Sequence, residues 1–371
     1  MAASAAPGSE LYIGLMSGTS VDGVDAVLVD FAGATPAVLA HAHRRFDPDL
    51  RSELLSLCSS GNDEIERAAL ASLRLVAVYA ECVHSALLAA GRSAADVRAI
   101  GAHGQTVRHR PDRCFTVQLN APARLAELAG IDVVADFRSR DIAAGGEGAP
   151  LVPAFHAAVF ASKAPRAVVN IGGISNVTYL PGSGQSLVGF DCGPGNVLLD
   201  LNAGRHLGQP MDRDGAWAQQ GTVDEAVLAR LMEEPFLDQP PPKSTGRELF
   251  SAYWLDSRLT GRHLAPADLQ RTLTEFTARA VGSAIGRWCR EARDVIVCGG
   301  GARNTKLMQV LAATVAPREL RTSEALGIPA DQVEALAFAW LARRFIRREP
   351  GSVAEATGAR GPRVLGALYP A

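Results

Sequence analysis

No stretch of the sequence approaches 18 uninterrupted apolar residues, so none reads as a membrane-spanning helix. No run of five like charges occurs and the formal net charge is −2, which leaves no electrostatic footprint for DNA, RNA or an anionic membrane. The six cysteines (Cys58, Cys82, Cys114, Cys192, Cys289 and Cys298) include no CxxC pair and read as buried, reduced thiols. Of the eight histidines only His41 and His43 are close, at strand spacing, with no further ligand at metal-site spacing, so no protein metal site is expected. A P-loop (GxxxxGK followed by Ser or Thr) is missing, as is a protein-kinase GxGxxG, and both routes lack their essential lysine. The N-terminus, MAASAAPGSELYIGLMSG, has no basic start and no apolar core of signal length, and reads as a short frayed leader of a cytoplasmic protein.

What is there is ordinary globular material: 371 residues, 47% hydrophobic and 20% charged, more apolar residues than one small core requires. Two domains follow from length, and the partner is expected to be a small molecule. LYIGLM, SGTSVDGVD and AVLVDF read as strand, turn, strand, with AVLAHAH as a third strand and residues 64–91 at helical spacing. The plan recurs about 155 residues later in AVVNIGGISNVTYL and SLVGFD, far beyond solenoid periods, and suggests two similar lobes. Residues 1–150 form the expected N-terminal lobe with the first turn. Residues 151–371 form the C-terminal lobe, with the second turn, a strand-end carboxylate and a further glycine turn. Helices are expected over 223–234, 266–292 and in ADQVEALAFAWLARRF.

The turns carry the chemistry. In Ser17–Asp25, Gly18 and Gly23 permit backbone angles that expose consecutive amides, and Thr19 and Ser20 add hydroxyl donors, as a phosphate cradle requires. Asp22 and Asp25 repel phosphate and are better suited to positioning Mg²⁺ and its waters or to orienting the turn. Gly172, Gly173, Ser175 and Asn176 form a second such turn, and Gly299, Gly300, Gly301 and Asn304 a third that opens a helix. Each alone also reads as an ordinary hairpin. Three after apolar strands point to the nucleotide architecture of hexokinase, actin and Hsp70, a fold-level analogy that does not fix the substrate.

Asp191 ends the apolar strand GFD before the CGPGN turn, where a carboxylate facing a cleft between lobes is well placed as a general base. Helix capping is the alternative, although Asn196 is nearer the helix. Asp136, Arg138, Arg140, Asp141 and Glu147 crowd a glycine-rich stretch, where arginines suit a substrate carboxylate and carboxylates suit sugar hydroxyls; surface ion pairs are the competing reading. His103 and Gln105 in GAHGQT follow a strand and are further candidates for substrate contact.

Taken in order, MSGTSVDGVD, GAHGQT, ADFRSRDIAAGGEGAPLVP, NIGGISN, GFDCGPGN, KSTGRE, GGGARN and QVEALAFAWLA closely resemble the anhydro-N-acetylmuramic acid kinases of bacteria, from about Leu11 to Arg344. The resemblance implies a duplicated, two-lobed α/β fold of the actin-like ATPase (ribonuclease H-like) class, with mixed sheets flanked by helices. It implies ATP with Mg²⁺, and an amino sugar whose 1,6-anhydro ring is opened by water and whose O6 is phosphorylated. It also implies that Gly18, Thr19, Ser20, Val21, Asp22, Gly23, Val24 and Asp25 form the ATP-phosphate loop. By the same resemblance Asp191 activates the water, and Glu334 helps near the Mg²⁺ and phosphates. Cys192 stands where a small residue such as threonine is expected, which leaves open a sensitivity to thiol reagents. An ordinary free-sugar kinase and a nucleotide-gated module like actin or Hsp70 are the rival readings, and a homodimer is one assembly open to the chain.

Overall fold

The apolar run LYIGLM and the alternation after it fold as an antiparallel meander of β1 (Leu11–Met16), β2 (Gly23–Asp30) and β3 (Ala37–Arg45) in the computed structural model. The chain continues through α1 (Pro48–Ser56), α2 (Glu64–Ala90), β4 (Val97–Ala102), β5 (Gln105–Arg110), β6 (Phe115–Leu119), α3 (Pro122–Ala129), β7 (Val133–Ala135), α4 (Ser139–Ala143) and α5 (Val152–Phe160). A second meander follows, β8 (Arg166–Ile171), β9 (Ile174–Leu180) and β10 (Val188–Pro194), and then α6 (Val197–Leu207), α7 (Glu225–Met232), α8 (Ala252–Leu259) and α9 (Pro266–Trp288). Last come β11 (Asp294–Cys298), α10 (Thr305–Val315), β12 (Glu319–Thr322), α11 (Val333–Ile346), α12 (Ala354–Thr357) and β13 (Ala367–Tyr369). The structure describes residues 8–18, 20–182, 186–246 and 248–371, so Thr19 of the first turn and the leader residues 1–7 lie outside the described residues.

Two compact units result: Met1–Val159 with Gln332–Ala371, and Phe160–Asp331. The sheet order is β3-β2-β1-β4-β7 in the first, extended by β13, and β10-β9-β8-β11-β12 in the second. In each, an antiparallel meander comes first and two parallel strands are then added beside its first strand. This shared order, 3-2-1-4-5 in both units, is a duplicated α/β architecture of mixed sheets flanked by helices.

The unit boundary corrects the expected lobe 151–371, because residues 332–371 pack with the first unit. The reason is a steric notch. A Cβ on Gly14 of β1 would lie 1.8 Å from the Ala335 carbonyl oxygen, and one on Gly101 of β4 would lie 2.0 Å from that of Phe338. Only glycine lets the α11 backbone lie directly on those strands. Helix α11 is apolar almost all round, as a helix with both sides covered must be, with Leu336, Phe338, Ala339 and Leu341 buried. Helix α2, by length and composition alone, is apolar enough to span a bilayer. Its Leu75, Val76, Tyr79, Val83 and Leu87 instead fill the first unit's core against Ile13, Leu15 and Ile100. Strand β13, unforeseen in the sequence, pairs antiparallel with β7.

In the second unit Val169, Ile171, Phe190, Val281, Ile285 and Val297 form the core beneath the sheet. A satellite cluster under α8 and α9 holds Phe236, Phe250, Trp254 and Phe276, with Trp254 and Phe276 stacked at 5.9 Å.

Candidate active site

In the first unit, the turn after β1 is braced from below by residues expected to face substrate. His103 is buried, and Arg138 donates to its Nε2 from both Nε (3.2 Å) and Nη2 (2.9 Å). Since guanidinium only donates, Nε2 is the acceptor, and the proton on Nδ1 is donated to the Ser17 carbonyl (3.3 Å). Burial, and then the Arg138 charge, pulls the His103 pKa down to about 3, which keeps the ring neutral in this role. The Ser17 hydroxyl donates to Gln105 Oε1, and Gln105 Nε2 donates to the Gly18 carbonyl (3.2 Å). Arg138 is tied in turn to the Gly148 carbonyl (2.8 Å). His103 and Gln105 thus converge on Ser17 and Gly18, with Arg138 holding His103 from behind, and fix the path of the turn.

The left-handed backbone expected at Gly18 and Gly23 falls instead on Val21 (φ 51°). A β-branched residue there is strained by roughly 1–3 kcal/mol, and burial of its side chain holds it in place. Gly23 is needed for another reason: a Cβ would lie 2.3 Å from the Arg44 carbonyl oxygen. Ser20 and Asp22 sit on the same turn, Asp22 exposed, and Val24 is buried at the start of β2. Asp25 faces β3, where His41 Nε2 (2.8 Å) and His43 Nδ1 (3.1 Å) both meet its Oδ1. Burial opposes its charge, but the two imidazoles outweigh burial and hold the carboxyl below its usual value. Among the described residues no cluster of three or more His, Cys, Asp or Glu side chains suits a metal ion.

Asp136 is exposed with φ 59°, its carboxylate accepting from the Ser139 amide (3.4 Å), and Arg140 is exposed beside it. Glu147 is half-buried and its amide donates to the Thr357 carbonyl (2.7 Å). Asp141, read in the sequence as one of the same polar cluster, is instead fully buried and accepts from the Gly148 amide and the Thr357 hydroxyl, both at 2.8 Å. It staples the glycine-rich stretch to the C-terminal segment. Glu334 is half-buried in the first turn of α11, so the notch at Gly14 and Gly101 sets its position.

In the second unit three glycine turns meet at the carboxyl ends of β8, β10 and β11, the edge at which α/β sheets bind ligands. The amides of Gly195 and Asn196 donate to the carbonyls of Gly173 and Gly172, both at 2.8 Å, and a Cβ on Gly195 would lie 2.2 Å from the Gly172 oxygen. Gly299 is equally close to Asn170 and Ile171, and Gly301 to Ile171. Gly300 lies near the Asn196 side chain. Ser175 is buried with its hydroxyl on the Pro194 carbonyl (3.3 Å), and Asn304 caps α10 by accepting from the Leu307 amide (3.0 Å). Both therefore shape the turns from within rather than presenting donors outward.

Asp191 lies opposite Asn176 in the β10–β9 register, and a bulge at Cys192 separates it from Gly193. Bulges of this kind re-aim side chains beside functional sites. Its Oδ2 accepts from the Thr245 amide (2.9 Å) and its own amide donates to the Lys243 carbonyl (3.1 Å). The Asn176 Oδ1 on the neighbouring strand is a buried acceptor with no hydrogen-bond partner among the described residues. A backbone amide on a carboxylate favours its charged form, as a proton acceptor requires.

Cys192 is buried, and its thiol donates to the Ser175 carbonyl (3.3 Å). Burial, reinforced by the Asp191 charge, raises its pKa, which removes the sensitivity to thiol reagents that its place in the sequence left open. Cys82, Cys289 and Cys298 are buried too, while Cys58 and Cys114 are exposed. Under native conditions a chromogenic disulfide reagent is expected to modify Cys58 and Cys114 alone, the others reacting only on unfolding. Peptide mapping that found native Cys192 labelled would contradict this.

The family model described as anhydro-N-acetylmuramic acid kinase matches residues 10–371. A Cupriavidus pinatubonensis protein named anhydro-N-acetylmuramic acid kinase is 56% identical over 367 residues, 97% of this chain and 98% of the relative. A Bordetella petrii protein of the same name is 58% identical over 366 residues, covering 97% and 96%. Among solved structures, the ethanolamine utilization protein EutJ from Carboxydothermus hydrogenoformans is 14% identical with a TM-score of 0.46, covering 90% of each chain. A Streptomyces griseus ROK family glucokinase, in complex with glucose and AMPPNP, is 14% identical with a TM-score of 0.42, covering 90% of this chain and 99% of that one.

Proposed function

The chain belongs to the anhydro-N-acetylmuramic acid kinase family, and from that premise we propose that it uses ATP to convert 1,6-anhydro-N-acetylmuramic acid to N-acetylmuramic acid 6-phosphate and ADP, in the recycling of cell-wall peptidoglycan. The observation that supports this best is Asp191, a strand-end carboxylate beside a bulge whose Oδ2 accepts a hydrogen bond from the Thr245 amide. In the proposed reaction it takes a proton from water as the water oxygen bonds to the anomeric carbon. The bond from that carbon to O6 breaks, and O6 accepts the γ-phosphoryl group. An inverting glycosidase needs a second carboxyl to protonate its leaving oxygen. Here phosphoryl transfer traps the leaving oxygen, so one carboxylate suffices.

The glycine turns of each unit suit phosphate: their backbones are locked by close contacts that leave no room for a Cβ at Gly23, Gly195 or Gly299. Mg²⁺ arriving with ATP would neutralise phosphate charge. Asp22 is exposed and suited to its bound waters, whereas the Asp25 carboxylate is engaged by His41 and His43. Glu334 assists near the phosphates, and Asp136, Arg140 and Glu147 contact the sugar, in this proposal. The protein works in the cytoplasm on a small amino sugar, and a homodimer is compatible with the proposal.

Mass spectrometry of the product from ATP and the 1,6-anhydro sugar tests it directly. The expected mass gain is one phosphate group plus one water, with ¹⁸O from labelled water on the anomeric carbon immediately after turnover. Gain of phosphate alone would identify an ordinary sugar kinase. ATP hydrolysis indifferent to the sugar would identify a nucleotide-gated module.

A further inference from the structure

We propose that Lys243 is a positioning residue for Asp191, pinning the segment Lys243–Thr245 whose backbone brackets that residue. This rests on Asp191 being the base of the proposed reaction.

Lys243 is only 6% exposed, and among the described residues no carboxylate forms an ion pair with it. Its ammonium donates to the carbonyls of Phe236 (2.8 Å) and Leu237 (3.1 Å). It stands 4.6 Å from the Phe236 ring centre and 5.9 Å from that of Phe190, the residue before Asp191. Lysine is among the costliest residues to bury, and an apolar side chain of similar volume would fill the space at lower cost. The ammonium therefore has a task that packing alone does not explain: it fastens the segment at one point to the turn at Phe236 and Leu237.

The same segment meets Asp191 twice. The Lys243 carbonyl accepts from the Asp191 amide (3.1 Å), and two residues on, the Thr245 amide donates to Asp191 Oδ2 (2.9 Å). Main chain and side chain of the base are thus both referenced to one short stretch of backbone, and Lys243 anchors that stretch. The charged and titratable groups facing Lys243 are Cys192, Arg287, Asp238 and Asp191. Arg287 and Asp238 are paired with each other (2.6 Å), and the buried Cys192 thiol stays protonated. The Thr245 amide, by its hydrogen bond, and the Lys243 ammonium, by its charge, are two groups that favour the Asp191 anion.

Lys243→Met keeps the volume and removes the donor. It is expected to lower kcat about 10- to 100-fold, the size of effect that a small misplacement of a catalytic group produces. KM for ATP should stay within about twofold, since uniform binding is untouched. The acidic limb of kcat against pH should rise by about one unit as the Thr245 hydrogen bond loosens. Amide exchange in the peptide carrying Thr245 should quicken, and Lys243→Arg, which can donate to both carbonyls, should recover most of the rate and the limb. If Lys243→Met does not fold, Lys243→Gln, retaining one donor, carries the same readouts.

Wild-type kcat, limb and Thr245 exchange in the apolar variant would overturn the proposal. So would a fall in kcat with the limb and the exchange unmoved. Asp191→Asn run in parallel separates the two failures. Full turnover by that variant removes the base itself, whereas its inactivity beside a fully active Lys243→Met removes only the positioning role.

Discussion

Asp191→Asn is expected to lower kcat by about 10² to 10⁴, while the variant should fold and bind ATP as the parent does. That range corresponds to roughly 3 to 5 kcal/mol of barrier, the usual contribution of a positioned general base. The substitution isolates proton acceptance, because the carboxamide oxygen still accepts from the Thr245 amide and the bulge at Cys192 still aims the side chain. What the amide lacks is a basic site for the proton of the attacking water. Calorimetric titration with ATP, together with steady-state kinetics on the 1,6-anhydro sugar, checks both halves. A folded variant that turns over near the parental rate takes Asp191 out of the chemistry.

Gly101→Ala destabilises the first unit by about 3 kcal/mol or more, the upper end of what overpacking usually costs. The obstacle to its Cβ is backbone, the Phe338 carbonyl group with its oxygen at 2.0 Å and its carbon at 2.7 Å, which no rotamer change can relieve. Gly14→Ala meets the Ala335 oxygen at 1.8 Å and the Ala339 nitrogen at 2.7 Å and should behave alike. Helix α11 must then lift from the sheet, and Glu334 in its first turn moves with it, so activity falls together with stability. For a unit of this size about 2–4 °C of Tm accompanies each kcal/mol, so a drop of about 6–12 °C is expected by calorimetry. Gly286→Ala is the control: in helix α9 a Cβ there meets nothing within 4 Å, and alanine should stabilise by about 0.5–1 kcal/mol. An unchanged transition in Gly101→Ala would mean that α11 does not depend on the notch.

Asp191 stood out in the sequence as a carboxylate ending an apolar strand before a Gly-Pro-Gly turn, and the structure places it on β10 beside a bulge. Its partner was not legible. Thr245 lies 54 residues away and contributes only a backbone amide, a group every residue but proline carries. His103, Gln105 and Arg138 were singled out as candidates for substrate contact, yet residue type says nothing of direction: His103 and Gln105 turn toward Ser17 and Gly18, and Arg138 toward His103 and Gly148. The left-handed position in the first turn was assigned to its glycines by the ordinary rule. Tertiary packing of Val21 overrides that rule. The two strand-turn-strand patterns predicted the duplication, and the shared strand order gives it form. Helix α11 was plain as a helix, but its place was written in Gly14 and Gly101, glycines that read locally as mere gaps in apolar strands.

The return of residues 332–371 to the first unit makes the second, Phe160–Asp331, an insertion between two pieces of its neighbour. A ribosome must therefore finish the second unit before it can supply the helix that covers β1 and β4 of the first. During synthesis the later-encoded unit can close its core first, while the earlier strands wait with one face uncovered. Completion of the first unit therefore waits on synthesis of the second.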